Sequence, residues 1–143
     1  MEPIIFAGTP ENAATTLREL VRNGYQIALV VTRLDAPVGR KKVLTPSAVA
    51  QAANELGLPI LKTNRITTQD EQAIRQSGAQ LALVVAFGAL LKKSTIELLD
   101  VGWFNLHYSV LPRWRGASPV QSAILAGDKS TGVSLFKIDE GLD

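Results

Sequence analysis

Short apolar runs alternate with amphipathic segments along this chain, and glycine and proline mark most of the changeovers. Ile4-Ile5-Phe6-Ala7, closed by Gly8, predicts a buried strand. A helix is expected next, with Thr9 as its cap and Pro10 in its first turn. Ala13, Ala14, Leu17, Leu20 and Val21 give that helix one apolar face, and Asn23-Gly24 stops it. Tyr25 to Val31 predicts a second buried strand, and residues 32 to 45 read as a long polar loop. Thr45-Pro46 repeats the cap-plus-proline start for a helix carrying Val49, Ala50, Ala53 and Leu56 on its buried side, and Gly57 closes it. A short strand, Pro59 to Leu61, precedes a helix from Thr68 to Ser77, whose first turn holds Asp70 and Glu71. Leu81 to Val85 is the most apolar strand, and Phe87-Gly88 follows it. A short helix over Thr95 to Leu98, a strand over Trp103 to His107, a helix from Ser118-Pro119 to about Gly127 and a strand over Val133 to Ile138 complete the pattern. Such alternation predicts an α/β domain around a mainly parallel sheet.

Composition narrows the class. The 143 residues are one domain's worth, and 46% apolar with 20% charged residues is ordinary for a globular chain. No run approaches the roughly 18 apolar residues that cross a bilayer. The start, Met-Glu-Pro-Ile-Ile-Phe-Ala-Gly, lacks the basic region and long apolar stretch of a signal peptide. A cytoplasmic protein with no membrane association is therefore expected. Absence of cysteine excludes disulfides and thiolate metal sites, and a single histidine argues against a dedicated zinc site. The net charge of +2 is too small to imply nucleic acid by itself. Its distribution is more informative: Arg33, Arg40, Lys41 and Lys42 crowd a segment whose one acid is Asp35, and Arg113 and Arg115 flank Trp114. Basic loops of this kind are most commonly solvated surface. At the other end, Ile138 to Asp143 runs from a strand into a turn and stops. The sequence thus reads as a domain truncated at its C-terminus.

Ligands of α/β sheets sit outside the carboxyl ends of the strands. That rule selects Gly8-Thr9, the 32 to 45 loop, Phe87-Gly88 and the stretch after His107. Asn105 and His107 are two apart on a strand and so share a face. A lone histidine closing an apolar strand is more often structural. Here, however, the polar, turn-rich connection Ser109 to Gly116 follows at once, where a binding loop belongs.

The segments Asn105-Leu106-His107-Tyr108-Ser109-Val110-Leu111-Pro112, Arg115-Gly116-Ala117, Thr131-Gly132-Val133 and Asp139-Glu140-Gly141-Leu142-Asp143 resemble, in order, those of the folate-dependent formyltransferase family. Phe6-Ala7-Gly8-Thr9-Pro10, Pro37-Val38-Gly39-Arg40-Lys41-Lys42, Val84-Val85-Ala86-Phe87-Gly88 and Leu111 to Pro119 are similar to the branch whose acceptor is initiator methionyl-tRNA. Asn12, Tyr108 and Val110 depart from that branch's usual residues. The resemblance implies a Rossmann-like formyltransferase fold, incomplete at the C-terminus. Residues 1–143 would be most of the catalytic domain, without the C-terminal β-barrel that the family carries.

By the same resemblance, Asn105, His107 and Asp143 are the catalytic residues and 10-formyltetrahydrofolate is the formyl donor. Phe87, Gly88, Leu90, Leu91, Ser109, Val110, Leu111 and Pro112 would hold the folate. Arg40, Lys41 and Lys42 would meet phosphates of the tRNA acceptor arm. No metal is implied, and a monomer is expected. With Asp143 as its last residue, the chain is expected to be catalytically impaired.

Three other readings stay open at this point. A formyltransferase for a sugar nucleotide or another small amine would keep Asn105, His107 and Asp143 but has little use for the basic loop. A folate-binding fragment without turnover is the second. A dinucleotide-binding oxidoreductase is the third, and the absence of Gly-x-Gly-x-x-Gly after the first strand weighs against it.

Overall fold

The computed structural model describes residues 1–140, so Asp143 and the Gly141-Leu142 pair before it lie outside the described residues. The elements run in the order β1 (Ile4–Gly8), α1 (Glu11–Arg22), β2 (Ile27–Thr32), β3 (Ala36–Val38), β4 (Val43–Thr45) and α2 (Ala48–Glu55). They continue with β5 (Ile60–Lys62), α3 (Thr68–Gln76), β6 (Leu81–Val85), α4 (Lys93–Ile96), β7 (Gly102–His107), α5 (Pro119–Leu125) and β8 (Ser134–Lys137).

Six strands form one sheet in the order β5-β2-β1-β6-β7-β8. All pairs are parallel except β7–β8, which is antiparallel. The chain winds outward from β1 through β2 to β5, then returns to build β6, β7 and β8 on the other side. The reversal lies between β1 and β6, and the carboxyl ends there open the crevice in which such sheets bind ligands.

Side chains alternate across the strands and divide the core in two. On one face Phe6, Val30 and Val85 pack against Ala13, Ala14 and Leu17 of α1 and Val49, Ala52 and Ala53 of α2. The alanines let these two helices lie close to the sheet. On the other face Ile5, Ala7, Val31, Ala82, Val84 and Trp103 pack against Ile74 of α3, with Ile96 of α4 beside them. Asn105 and His107 share this second face with Trp103, by the period of two along β7. Among the described residues, no helix is long and apolar enough to cross a membrane.

The parallel α/β architecture agrees with the sequence pattern, and three local expectations are corrected. Residues 36–45 are not an open loop: β3 and β4 pair as an antiparallel hairpin, Ala36 with Thr45 and Val38 with Val43. Val38, Val43 and Leu44 are all exposed, so no apolar alternation marked these strands. Thr45 does not cap α2; Ser47 does, its oxygen accepting from the Ala50 amide at 3.0 Å. Thr9 does not cap α1 either. Pro10 holds the capping position without a side-chain bond, and the Thr9 hydroxyl donates instead to the Phe87 carbonyl at 2.9 Å. That bond spans the reversal point and joins the ends of β1 and β6.

Candidate active site

The crevice at the ends of β6 and β7 is a cavity of about 750 Å³, a volume suited to a cofactor-sized ligand. Asn105 and His107 line it from β7, and Phe87, Gly88, Leu90 and Leu91 from the segment after β6. Tyr108, Arg115, Gly116, Pro119, Phe136 and Ile138 complete much of the wall. Six residues singled out from the sequence thus come together in one place.

The segment after β6 is held open by side chains from neighbouring strand ends. Besides the Thr9 bond, the Arg33 guanidinium donates to the Gly88 carbonyl at 2.7 Å. Ala86 and Gly88 both have positive φ, 51° and 88°. Left-handed backbone at a residue with a Cβ stores strain, which characteristically sits at functional sites. Phe87 is only 1% exposed and belongs mainly to the core, whereas Leu90 is 84% exposed and stands at the rim. The wall is chiefly apolar, with polar groups concentrated at Asn105, His107 and Arg115.

His107 is 5% exposed, and its Nε2 lies 2.8 Å from the Trp114 carbonyl. A carbonyl only accepts, so Nε2 carries the proton. The buried imidazole therefore has a defined orientation. Half-buried Asn105 adds an amide with two donors on the same side of the strand. The Asn105 amide can donate to negative charge developing on a substrate oxygen; His107, whose Nε2 is committed to the Trp114 carbonyl, can add a second donor through Nδ1 only as the imidazolium.

The turn after His107 is tied down at nearly every residue. The Ser109 hydroxyl donates to the Arg113 carbonyl at 2.6 Å. Ser134 of β8 donates to the Ser109 carbonyl at 2.8 Å and accepts from the Leu111 amide at 3.1 Å. Of the four residues Ser109 to Pro112, none is among the lining of the large cavity. Val110 instead borders a smaller one of about 230 Å³, with Arg113, Trp114 and Asp128.

Arg113 and Arg115, which flank Trp114, have different surroundings. Arg115 lines the large cavity, while Arg113 makes two bonds to Asp128 through Nε at 3.1 Å and Nη2 at 2.8 Å. Trp114 Nε1 donates to the same carboxylate at 2.7 Å. Donation from Arg113, then from Trp114, holds the Asp128 carboxyl below the ordinary aspartate value of 3.8. A depressed carboxyl stabilises the folded state above its ordinary value, and that contribution is lost as pH falls through the folded-state value. The indole environment of Trp114 is accordingly expected to stay constant from neutral pH down to the ordinary aspartate range and to change only below it. Trp103, the other tryptophan, is fully buried, so a fluorescence titration beside Asp128→Asn checks this. A wild-type transition near neutral pH, or one kept unchanged in the variant, would contradict it. Sequence patterns did not single out Asp128, because an acid after a helix-ending glycine reads as solvated.

Arg40, Lys41 and Lys42 lie at the β3–β4 turn and are all exposed. Asp35 is taken by Lys62 at 2.7 Å, which leaves the hairpin tip basic. The tip is not part of the cavity wall. Among the described residues, no three His, Asp or Glu side chains gather as a metal site.

Comparison with known proteins places the chain in context. The family model described as formyl transferase matches residues 2–143. Methionyl-tRNA formyltransferase of Clavibacter sepedonicus is 49% identical over 140 residues, covering 98% of this chain and 46% of that protein. The chain therefore spans about half the length of the curated relatives it matches. Phosphoribosylglycinamide formyltransferase from Bacillus halodurans superposes with a TM-score of 0.77 at 16% identity, over 99% of this chain and 74% of that one. WlaRD, a sugar 3N-formyl transferase solved in the presence of dTDP and 5-N-formyl-THF, gives 0.64 at 22% identity, over 99% of this chain and 48% of that one. At such identities the structural likeness speaks to the fold alone.

Proposed function

The chain belongs to the formyl transferase family, and on that premise we propose that it carries the folate site and reacting centre of a methionyl-tRNA formyltransferase. The observation that carries this reading is the convergence of Asn105 and His107 on one cavity with an apolar wall from Phe87, Leu90 and Leu91. A flat pterin suits such a wall, and the donor is 10-formyltetrahydrofolate. Ser109 to Pro112 do not line this cavity and would meet only a part of the folate that extends beyond it.

In the reaction the methionyl amine attacks the formyl carbon. The carbonyl π pair moves to oxygen, which becomes an oxyanion facing the Asn105 amide and, with His107 as the imidazolium, its Nδ1–H, while Nε2 stays on the Trp114 carbonyl. The bond from carbon to the folate nitrogen then breaks, the carbonyl reforms, and the amine's proton ends on the departing nitrogen. Asp143 is the group assigned to help that proton away, directly or through water. Neither donor needs to reorganise during the step, because β7 and the Trp114 carbonyl already orient the imidazole.

Arg40, Lys41 and Lys42 are the proposed phosphate contacts for the acceptor arm. An exposed hairpin tip presents cations outward, which positions RNA without reading its sequence. Formyl transfer from 10-formyltetrahydrofolate to methionyl-tRNA, measured beside transfer to amino-sugar nucleotides, tests the acceptor directly. Lys41→Ala/Lys42→Ala is expected to lower tRNA affinity and to flatten its dependence on log salt by about 1 to 2. Folate affinity should not change, since the hairpin does not line the cavity. An unchanged salt slope with unchanged tRNA affinity would return the hairpin to plain surface and favour a small-molecule acceptor.

A further inference from the structure

Trp114 has φ of +61°, a left-handed conformation unusual for a residue with a bulky side chain. That conformation costs on the order of 1 kcal/mol or more and persists only where surrounding contacts impose it. Beside the Ser109 hydroxyl on the Arg113 carbonyl and His107 on the Trp114 carbonyl, the side-chain contacts come from one carboxylate. Asp128 accepts from the indole Nε1 at 2.7 Å and binds Arg113 twice, and the Arg113 guanidinium stacks over the indole at 4.5 Å. The ring is gripped at its edge and on its face.

Asp128 is itself fixed by the way α5 ends. Its amide donates to the Ala123 carbonyl at 3.0 Å while the Gly127 amide donates to Ile124 at 3.0 Å, with Gly127 at φ 75°. This pairing is the Schellman closure, which leaves little freedom to the residue after the glycine. Ala123 is buried, so the helix end is seated in the fold. The chain of contacts therefore runs from a seated helix end, through Asp128 and the indole, to the Trp114 backbone. It finishes at His107 Nε2, 2.8 Å from the Trp114 carbonyl.

We infer that Asp128 is a positioning residue for the formyl-transfer centre: by holding Trp114 left-handed, it aims the Trp114 carbonyl at His107 and keeps the imidazole proton on Nε2. Its relevance to catalysis rests on the function proposed above; the effect on the imidazole does not. Asp128 lines only the smaller cavity, and it acts on the reaction through Trp114 and His107.

The test is ¹⁵N-detected NMR of the histidine ring in the protein at its natural length, with His107 assigned from the signal lost in His107→Gln. In the neutral form of the wild-type imidazole, the proton should reside on Nε2. Asp128→Ala should shift the population toward a mixture of the two tautomers. Trp114→Phe, which removes the indole donor but leaves Arg113 paired to Asp128, should do the same and guards against a folding defect in the first variant. In formyl-transfer assays both should lose about tenfold to a hundredfold in kcat, as misplacement of a reacting group does, with KM for the folate nearly constant. An unchanged Nε2-protonated population in folded Asp128→Ala and Trp114→Phe overturns the inference. A wild type that shifts tautomer on these substitutions yet transfers no formyl group keeps the clamp and removes the proposed function instead.

Discussion

Replacing either Asn105 or His107 by alanine is expected to lower formyl-transfer turnover about a hundredfold, the cost of losing one pre-aimed oxyanion donor. Both residues lie in the last three positions of β7, which pairs with β6 on one side and β8 on the other. Asn105 stands opposite Val84 and Phe136, and His107 opposite Ser134, so Asn105 is placed by two neighbouring strands and His107 by β8. Substitutions there should leave the backbone unmoved. The loss should fall on kcat more than on folate KM, because the oxyanion exists only on the way to the transition state. His107→Ala also takes the proton donor from the Trp114 carbonyl, which adds a small stability loss that Asn105→Ala should lack. The double variant should fall short of the product of the two single effects, since in the proposed reaction both donors serve one oxygen. Single-turnover rates with 10-formyltetrahydrofolate and methionyl-tRNA, beside thermal melts, provide the measurement. Turnover near that of wild type in either single variant would remove that residue from the mechanism.

Trp103→Ala should destabilise the fold by about 3–5 kcal/mol, the usual cost of emptying a buried aromatic site. Trp103 is fully buried near the start of β7 and is the largest side chain in the core. Its Nε1 donates to the Thr95 carbonyl at 3.0 Å, and the Thr95 hydroxyl donates to Glu71 at 2.9 Å. Glu71, buried in α3, also accepts from Ser94 at 2.8 Å and lies 3.4 Å from Lys92. Burial pushes the Glu71 carboxyl up, but the bonds from Ser94 and Thr95, with Lys92 beside them, outweigh it and leave the group below its ordinary value. Removing the indole thus opens a cavity and loosens one end of a polar network that joins α3 to α4. Urea unfolding should show a lower midpoint with little change in slope. Trp103→Phe, which keeps most of the volume, isolates the lost hydrogen bond at about 1 kcal/mol. A loss below about 1.5 kcal/mol for the alanine variant would mean that α4 and β7 close over the space.

The sequence by itself determined the layered plan. Apolar runs at β1, β2, β6 and β7 are buried on a scale of five or six residues, and glycine and proline act on their immediate neighbours, so both signals are local. The shared face of Asn105 and His107 follows from the two-residue period of any strand. The Gly-Arg-Lys-Lys segment was legible as basic, because charge needs no fold to be read. Which groups meet was decided by tertiary structure. Thr9 and Thr45 have the side chains of helix caps, yet Thr9 serves Phe87, 78 residues away, and Ser47 caps α2 in place of Thr45. The β3–β4 hairpin escaped notice because its apolar side chains face outward and leave no buried stripe. Ser109 to Pro112 are assigned to the folate by resemblance alone; that a turn sets them beyond the large cavity's lining is visible only in the fold. Asp128 shows the same limit most clearly. Its position is set by how α5 ends, and its partners by how the turn after β7 folds back, 14 and 15 residues earlier in the chain. A one-dimensional pattern records which side chains can donate or accept; only the approach of strand ends and helix ends determines which donor reaches which acceptor.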